Sequence, residues 1–513
     1  KNALAQLLRE EEVKWYQRAK TKRIVEGDRN TKYYHMITNG KHRKTKIFQL
    51  EQEEGVIKGD AQLKKYVTNY YRGLFGAPDG NCFSMCESQK DDIPQVSMEE
   101  NTFLTKEFTE EEVKHVVFQM EHNKAPGPDG FPAEFYQVFW EVIKEDLMDV
   151  FRDFHSGELP LHRLNFGIIT LLPKNKEAKQ IQQYIPICLL NVSFKVFTKV
   201  MANRIALVAQ KVIRPSQTAF LKGRNIMEGA IILHETLHEM HKKKSNGVIL
   251  KLDFEKAYDK VNWNFLQQAL RMKGFSDIWC KWIDQVVSGG SVAVKVNDEI
   301  GHFFQTKKGL RQGDPLSPIL FNLVADMLAI LINRARDLET LNGVIPHLVD
   351  NGLSILQYAD DTILFMDHDL VKAKNLKLVL AAFERLSGLK INFHKSEMFC
   401  FGKAKEVEKD YTTLFGCKMG TFPFRYLGLP MHFKRLSNKD WKDLEDRFQK
   451  KLSCWKGKFL SSGGRLVLIN SVLSSLSTFM LSFFEIPKGI LKKLDFYRSG
   501  FFGNVMSIKR SIG

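Results

Sequence analysis

Three aspartates are the residues of this sequence best suited to chemistry. Asp360 and Asp361 are adjacent and lie between two short apolar runs, and Asp253 ends a third such run. Adjacent aspartates are common in turns. Here both flanks are apolar, so the pair would lie close to a core, where like charges repel and need cations to stay ionised. Two carboxylates at a strand-to-strand turn, with a third on another strand, could form a two-metal site that moves phosphoryl groups.

The segments around these aspartates predict the elements that position them. Residues 247–253 are a β-type run with the first aspartate at its carboxyl end, and apolar residues at helical spacing follow from Trp263. Residues 370–388 predict a second helix, with an apolar stripe and a closing glycine. Ser317 and Pro318 predict the N-cap and the first residue of an apolar helix.

Composition and charge indicate a folded protein with a polyanionic partner. The chain has 513 residues, too many for one compact core, so about two to four subdomains are expected. Hydrophobic residues make up 44% and charged residues 26%, which excludes a disordered or collagenous chain. The formal charge of +17 favours a nucleic acid partner. A basic surface without a partner is the alternative, but acidic catalytic residues in a basic chain imply metal ions and phosphates.

The cysteines and the longest apolar segment do not favour disulfides, zinc or a membrane. Seven cysteines are scattered without a paired framework, which fits a reducing compartment. Cys82 and Cys86 resemble half a zinc site, but no second pair lies nearby. The stretch from Leu466 to Phe484 is interrupted by Asn470 and several serines, so we predict packed helices there and no membrane partner.

Two cationic segments are candidate contacts for phosphates or nucleic acid. Lys174 follows the apolar strand 167–172 and could reach a phosphate, although most lysines in such places only mark the return to solvent. The block 213–224, which ends in Lys222 and Arg224, combines cations with an aromatic ring and suits backbone contact with base stacking.

Two other segments favour the same kind of partner. The glycines of loop 307–316 permit close backbone approach to a nucleotide, and a simple connection to a helix would not explain its polar cluster of Arg311, Gln312 and Asp314. The first ninety or so residues are basic and helix-like, so we expect a polyanion contact there. A solvated helix face is the alternative for that region.

Three ordered blocks carry a resemblance to a known family. They are residues 253–259 (DFEKAYD), 309–318 (GLRQGDPLSP) and 358–361 (YADD). These blocks resemble the reverse transcriptase of non-LTR (LINE-type) retrotransposons, most closely the plant elements. The resemblance covers nearly the whole chain, and further matching blocks are residues 27–35, 125–132, 217–224, 388–393 and 426–430.

The resemblance implies an α+β fold of the right-hand polymerase type, with fingers, palm and thumb. Residues 1–95 would be a basic helical N-terminal extension and linker, 96–240 the fingers, and 241–435 the palm with its primer-grip hairpin. Residues 436–513 would be a truncated helical thumb. Its helical stripe consists of Trp441, Leu444, Phe448, Leu452 and Trp455.

The resemblance also implies roles for single residues. Asp253, Asp360 and Asp361 match the catalytic carboxylates that hold two Mg²⁺ ions, with Mn²⁺ as a substitute, and Lys395 matches a lysine that protonates the leaving group. The implied nucleotide-binding residues are Lys174, Phe254, Tyr258, Gln312 and Gly313. Among these, Phe254 would lend a backbone carbonyl to the metal and Tyr258 would exclude a ribose 2′-hydroxyl. The implied nucleic-acid-binding residues are Lys222, Arg224, Arg311, Tyr426, Leu427 and Gly428.

The partners and location follow from the same resemblance. Such an enzyme would copy an RNA template from a DNA primer or nicked target DNA, using deoxynucleoside triphosphates (dNTPs). We expect it in the nucleus when active and in the cytoplasm as a ribonucleoprotein. The sequence contains only basic runs such as 242–244 and no clear targeting signal, and it indicates no oligomeric state. It opens with Lys1, so we expect a fragment.

One departure from the family pattern bears on activity. Ile185 stands where the family usually has an arginine that grips the incoming triphosphate. Losing a charge-assisted phosphate contact costs about a few kcal/mol of transition-state stabilisation, and Lys174 could compensate in part. Arg23 replaces a usual tryptophan, and residues 501–504 resemble an eroded aromatic block.

Three interpretations follow from this pattern. The first is an active RNA-directed DNA polymerase domain, and the second is a catalytically defective nucleic-acid-binding remnant. The third is an intron maturase, which should carry a splicing-associated domain after the thumb. No such domain is recognisable in the sequence.

Overall fold

The computed structural model describes residues 46–78, 83–122, 124–175, 177–454 and 462–503. The chain divides into two compact units. The larger unit contains Lys44–Gly229 and Lys242–Gly420, and the smaller contains Ala230–His241 and the described part of Thr421–Gly513. Helices and sheets are both present, which confirms the predicted mixture. The predicted subdomain boundaries stay predictions, since this division follows different residues.

The N-terminal region was expected to be helical, and its first described element is instead a hairpin. Strands β1 (Gln49–Gln52) and β2 (Gly55–Lys58) pair antiparallel. Gly55 has a φ of 132°, a conformation that suits a turn and not a helix. Residues 1–45 of the predicted basic extension lie outside the described residues.

The rest of the larger unit alternates helices and strands. The first helices, which precede strand β3, are α1 (Asp60–Leu74), α2 (Met98–Thr105), α3 (Glu110–Gln119), α4 (Ala133–Val138) and α5 (Trp140–Ser156). Then come β3 (Phe166–Pro173), β4 (Tyr184–Leu190), α6 (Val192–Val212), β5 (Gly247–Leu252), α8 (Ala257–Lys260), α9 (Trp263–Met272) and α10 (Asp277–Ser288). Between α6 and β5 lies α7 (Ile226–Lys242), of which Ala230–His241 belongs to the smaller unit. The remaining elements are β6 (Ser291–Val296), β7 (Glu299–Ile300), β8 (Phe304–Gln305), α11 (Ser317–Asp337), β9 (Ile355–Tyr358), β10 (Asp361–Asp367), α12 (Leu370–Ser387), β11 (Glu397–Phe401), α13 (Glu408–Phe415) and β12 (Lys418–Met419).

The central five-stranded sheet has the strand order β12-β11-β5-β10-β9. Strand β5 lies between β10 and β11 and runs antiparallel to both. Its residues from Gly247 to Leu250 are buried, because apolar side chains cover both faces of a strand in the middle of a layered domain. Helix α11 is buried along most of its length and packs on α9 and α12, so the sheet and these helices form one core.

Two helix ends test the predicted caps. Helix α12 ends at Gly388, which takes a φ of 75°, as predicted from the sequence. Its start is capped by Asp369, whose carboxylate accepts hydrogen bonds from the backbone N–H of Val371 at 2.7 Å and of Lys372 at 3.2 Å. The predicted cap of α11 was wrong by one residue, because Leu316 is the N-cap and Ser317 is already helical.

A second sheet has the order β4-β3-β6-β7, with β8 also paired to β6. Strands β3 and β4 are antiparallel, with Leu172 opposite Ile185. Strand β3 is the apolar strand expected at 167–172, and β6 pairs antiparallel with β7 and β8.

The smaller unit contains a hairpin and a helical cluster. The hairpin pairs β13 (Phe424–Tyr426) with β14 (Leu429–Met431). The helices are α14 (Lys442–Cys454), α15 (Ser462–Leu468), α16 (Ser474–Leu481) and α17 (Lys488–Gly503), with a π-helical segment at Ile469–Leu473. From the predicted stripe, Trp441, Leu444 and Phe448 are buried together and Leu452 packs against them, while Trp455 lies outside the described residues.

Two described helices are long and apolar enough to cross a membrane by length and composition. Ser317–Asp337 is 72% buried in its most apolar window, as expected for a core helix, and Gly463–Leu481 is 28% buried. Cys86, Cys188, Cys280, Cys400 and Cys417 are free, and Cys82 lies outside the described residues.

Candidate active site

The β9–β10 hairpin places the paired aspartates at one end of the central sheet. Asp361 pairs with Tyr358, so Ala359 and Asp360 form a two-residue turn. Strand β10 pairs with β5 through Thr362 and Leu252, and one further step of this antiparallel register puts Asp361 level with Asp253. The structure therefore brings together the three aspartates that the sequence singled out.

The three carboxylates influence one another electrostatically. Burial is the main cause that raises the pKa of Asp253, of Asp360 and of Asp361. The charge of Asp253 raises the pKa of Asp360 further. The charges of Asp360 and Asp253 both raise the pKa of Asp361. All three residues still open to solvent. A ligand can therefore approach a cluster of negative charge that the protein alone does not fully neutralise.

Lysines surround the carboxylates. The charges of Lys395 and Lys174 both lower the pKa of Asp253, and that of Lys174 also lowers the pKa of Asp360. Both lysines are exposed. The structure thus places these two predicted site residues beside the aspartates, where their ammonium groups could contact an anionic ligand.

The position of Lys395 is fixed by hydrogen bonds to the backbone of Asp253. The N–H of Asn392 donates to the carbonyl of Asp253 at 2.7 Å, and the N–H of Asp253 donates to the Ser396 hydroxyl at 3.1 Å. Ser396 in turn donates to the Asn392 carbonyl at 2.8 Å. The segment that carries Lys395 is therefore attached directly to the end of β5.

Lys251 belongs to the site and was missed by the sequence analysis. Its charge lowers the pKa of both Asp361 and Asp253. It lies two residues before Asp253 on β5, and residues two apart share one face of a strand. This alternation, together with a lysine inside an otherwise apolar run, was the signal that could have identified it.

Tyr258 presents a ring held flat by another aromatic. Its ring stacks on Phe321 with centroids 4.5 Å apart and an angle of 12° between the planes. Burial raises the pKa of Tyr258, and the charge of Asp360 adds to this shift. The phenol is therefore neutral at physiological pH and lies close enough to Asp360 to sense its charge.

Phe254 pairs by an isolated β-bridge with Ile391, which holds its backbone beside the 392–396 segment.

The Gln312–Gly313 loop is attached to the second sheet. The N–H of Cys188 on β4 donates to the Gln312 carbonyl at 2.8 Å. Gly313 has a φ of 117°, and a Cβ at this position would lie 2.5 Å from the Cys188 carbonyl oxygen. Only glycine fits there, since any side chain would meet both backbone strain and a clash.

Two predicted nucleic-acid contacts have their guanidinium groups engaged inside the protein. Arg311 is buried, donates to the side chain of Asn165 and to the Val286 carbonyl, and lies 5.0 Å from the centroid of the Phe194 ring. Its predicted contact with nucleic acid stays a prediction, and the structure assigns it a role in holding the loop.

Arg224 has a similar internal role. Its guanidinium donates to the carbonyls of Arg214, Gln217, Gln210 and Ile213 at 2.5–2.9 Å. These four bonds gather the 210–224 segment around one cation, while the neighbouring Lys222 is exposed.

Tyr426, Leu427 and Gly428 form the β13–β14 turn in the smaller unit, where Leu427 and Gly428 have positive φ values of 50° and 84°.

The chemistry of the donor set fits a hard divalent cation. Carboxylate oxygens are the preferred ligands of Mg²⁺, and the mutual repulsion of Asp253, Asp360 and Asp361 favours a bound cation. Among the described residues, no group of three or more His, Cys, Asp or Glu side chains lies close enough together to hold a metal ion by itself. Oxygens supplied by a nucleotide would complete such a site, as is usual for Mg²⁺.

Acidic residues gathered at the end of a sheet, with lysines around them, define a site of the phosphoryl-transfer class. Residues 172–431 match the family described as reverse transcriptase (RNA-dependent DNA polymerase). The chain belongs to this family.

The curated relatives come from mobile elements. The Transposon TX1 uncharacterized 149 kDa protein of Xenopus laevis is 27% identical over 463 residues, which cover 89% of this chain and 35% of that protein. The Pol polyprotein from the R2DM retrotransposable element of Drosophila melanogaster is 28% identical over 274 residues, covering 53% of this chain and 24% of that protein. The RNA-directed DNA polymerase from mobile element jockey of Drosophila funebris is 23% identical over 372 residues, covering 70% and 38%.

These relatives confirm the predicted family, a reverse transcriptase domain of non-LTR retrotransposons. The family is that of RNA-directed DNA polymerases and suggests the right-hand polymerase fold. The chain spans between 24% and 38% of the length of these three relatives.

Proposed function

We propose that this chain extends a DNA primer on an RNA template by transferring a nucleotide from a dNTP to the primer 3′-hydroxyl. The observation that carries the proposal is the cluster of Asp253, Asp360 and Asp361 at the end of the central sheet, in a chain of the reverse transcriptase family. On the motif resemblance, we further propose that the chain comes from a plant element.

The three aspartates would hold two Mg²⁺ ions, with Mn²⁺ as a substitute. When bound, these ions lower the pKa of the attacking hydroxyl and neutralise charge on the triphosphate. The aspartates must be ionised for this task. Their raised pKa values mean that they lose their protons at higher pH than ordinary aspartates do, so metal binding and activity should fall under acidic conditions.

The surrounding residues bind and orient the nucleotide. Lys174 and Lys395 approach Asp253 from two different segments and would contact the phosphates, with Lys395 as the proton donor to the leaving pyrophosphate. Tyr258, held flat against Phe321, would lie under the sugar and exclude a ribose 2′-hydroxyl. The Gln312–Gly313 backbone would border the base and the template.

The net charge of +17 supports binding of the nucleic acid strands, because lysines and arginines that contact phosphates release counterions. Lys222 is exposed and free to make such contacts, and the β13–β14 turn would grip the primer. We place the activity in the nucleus, with a cytoplasmic ribonucleoprotein form, and propose no membrane association.

A second candidate function is a binding remnant without catalysis, and Ile185 favours it. Ile185 lies opposite Leu172 on the strand pair that leads to Lys174, and it offers no charge where the family pattern has an arginine. Such a remnant would bind RNA in a salt-sensitive manner, would need no Mg²⁺, and would be unaffected by Asp360→Asn.

Primer extension with Mg²⁺ and dNTPs on an RNA template separates the two functions. The active interpretation predicts extension by the wild type, loss in Asp360→Asn, and retention in Asp350→Asn, which changes an exposed aspartate in the turn before β9, whereas Asp360 follows that strand. RNA binding at increasing salt is measured in parallel. Wild-type extension that does not exceed the background level of Asp360→Asn, together with intact RNA binding, would favour the remnant.

A further inference from the structure

A buried loop adds a short backbone pairing to the edge of the catalytic sheet. Strand β9 is the edge strand, and the loop residue Gln217 forms a parallel bridge with Gln357 on it. The N–H of Gln357 donates to the Ser216 carbonyl at 2.8 Å, and the N–H of Thr218 donates to the Gln357 carbonyl at 3.0 Å. The loop is therefore fixed to the strand that leads directly into the aspartate turn.

The Gln217 side chain extends from this loop to the turn itself. Its carboxamide oxygen accepts a hydrogen bond from the Ala359 N–H at 2.8 Å, and its amide nitrogen donates to the Ala359 carbonyl at 3.3 Å. The oxygen also accepts from the Ala219 N–H at 3.2 Å. Gln217 is fully buried, so no water competes for these groups.

The residue held in this way has a strained backbone. Ala359 has a φ of 53°, in the left-handed region that alanine seldom adopts, and it directly precedes Asp360. Its backbone torsions set the direction in which Asp360 leaves the turn. A side chain that satisfies both the N–H and the carbonyl of Ala359 thus fixes the conformation on which the position of Asp360 depends.

We propose that Gln217 is a positioning residue for catalysis, which holds the Ala359 backbone so that Asp360 stays aligned with Asp253. The proposal rests on the proposed polymerase function. Gln217 is fully buried and would act through its hydrogen bonds to the turn, without contacting substrate or cation itself.

Gln357 provides a matched control. It lies on the same bridge, is as buried as Gln217, and its amide donates to the Ala325 carbonyl on α11 at 3.1 Å. Its side chain therefore stabilises packing without holding the turn. Methionine has nearly the volume of glutamine and removes the hydrogen bonds, so Gln217→Met and Gln357→Met each lose one buried amide.

The first measurement is single-nucleotide primer extension on RNA at a series of Mg²⁺ concentrations. We expect Gln217→Met to lower kcat by about 100-fold, since a displacement of about 1 Å at a catalytic group has that effect. It should also raise the Mg²⁺ concentration for half-maximal rate. The kcat of Gln357→Met should stay within about threefold of the wild type, because this substitution removes a packing contact and lowers only the stability of the protein. Thermal unfolding of each variant confirms that the assayed protein is folded.

The second measurement uses Gln217→Glu. A protonated carboxylic acid has one donor and acceptor capacity, as the amide does, while a carboxylate can only accept. The ionised form of Glu at this position would place a carboxylate oxygen against the Ala359 carbonyl oxygen, with no proton to donate to it. The rate of this variant relative to the wild type should therefore rise as pH falls from 8 to 6, and the ratio is used because Asp253, Asp360 and Asp361 give both proteins a pH dependence of their own. Burial raises the pKa of the introduced carboxyl group toward this range.

Hydrogen exchange at Ala359 tests the arrangement without relying on activity. The amide of Ala359 should exchange slowly in the wild type and in Gln357→Met, and about tenfold or more faster in Gln217→Met, because its acceptor is gone. If the wild type does not extend primers, the polymerase proposal fails, and this exchange pattern decides separately whether Gln217 fixes the turn. Equal kcat in the two methionine variants, or unchanged exchange at Ala359, would overturn the proposal.

Discussion

Replacing Ile185 with arginine should increase nucleotide incorporation. Ile185 on β4 lies opposite Leu172 on β3, and paired residues project to the same face of a sheet. Leu172 is 43% exposed, so this face opens to solvent. Lys174 lies two residues after Leu172, so the alternation of side chains along the strand places it on the same face, and its charge lowers the pKa of Asp253 and of Asp360. An arginine at 185 would thus project beside Lys174, whose charge acts on two of the catalytic carboxylates.

The magnitude follows from one charge-assisted hydrogen bond. A hydrogen bond to a charged group contributes about 1.5–3 kcal/mol, and each 1.36 kcal/mol changes a rate about tenfold, so the range is about 10- to 150-fold. The open face screens the interaction, so we expect the lower end, about tenfold in kcat/KM for dNTP. The half-buried position lets the arginine stem replace the isoleucine contacts while its head reaches solvent, so the stability cost should be small.

The assay is steady-state primer extension on an RNA template with varied dNTP concentration. Ile187→Arg is the control, because Ile187 lies on the same strand and face, is equally half-buried, and pairs with Thr170, farther from Lys174. The gain should appear for Ile185→Arg alone. An unchanged kcat/KM, or an equal gain in both variants, would refute the assigned position of the triphosphate.

Two further predictions concern buried charges in the larger unit. Lys273 and Asp326 are fully buried, with Nζ and Oδ2 2.5 Å apart. Removing the lysine leaves a buried carboxylate without its partner, so Lys273→Met should lower the free energy of unfolding, measured in urea, by about 3–5 kcal/mol. The exposed control Lys281→Met should change it by less than about 0.5 kcal/mol, and similar values for both variants would contradict the account. Burial raises the pKa of Asp259 to about 7, above its unfolded value of about 3.9, so the stability it contributes is complete below pH 4 and is lost as pH rises to 7. Thermal melts between pH 4 and 7 should show a larger loss in the wild type than in Asp259→Asn, because Asp253, Asp360 and Asp361 have raised pKa values in both proteins, and parallel pH dependence in both would argue against it.

Local patterns were sufficient for the elements that carry the site. The apolar flanks of Asp360 and Asp361 predicted a strand-to-strand turn, and the structure has β9 and β10 on either side of it. The stripe and closing glycine of residues 370–388 predicted α12 to its last residue. These features depend on side chains within a few positions of one another, so the sequence contains the whole signal.

Long-range contacts left no such signal. Gln217 lies 142 positions from Ala359, and a glutamine in a loop is ordinarily a solvated residue. The sequence also could not distinguish Lys222, which is exposed, from Arg224, which is used by four nearby carbonyls, because both are cations in one block. Which donors a chain uses internally is decided by the folded backbone and not by residue type.

Template-directed addition of a single nucleotide tests the central claim most directly. The protein is given a DNA primer on an RNA template, Mg²⁺ and one dNTP at a time. The account predicts that the wild type adds the complementary deoxynucleotide, discriminates against the matching ribonucleotide, and loses addition with Asp360→Asn while Asp350→Asn retains it. Addition that ignores the template base, or that persists in Asp360→Asn, would contradict the assignment of Asp253, Asp360 and Asp361 as the centre of an RNA-directed DNA polymerase.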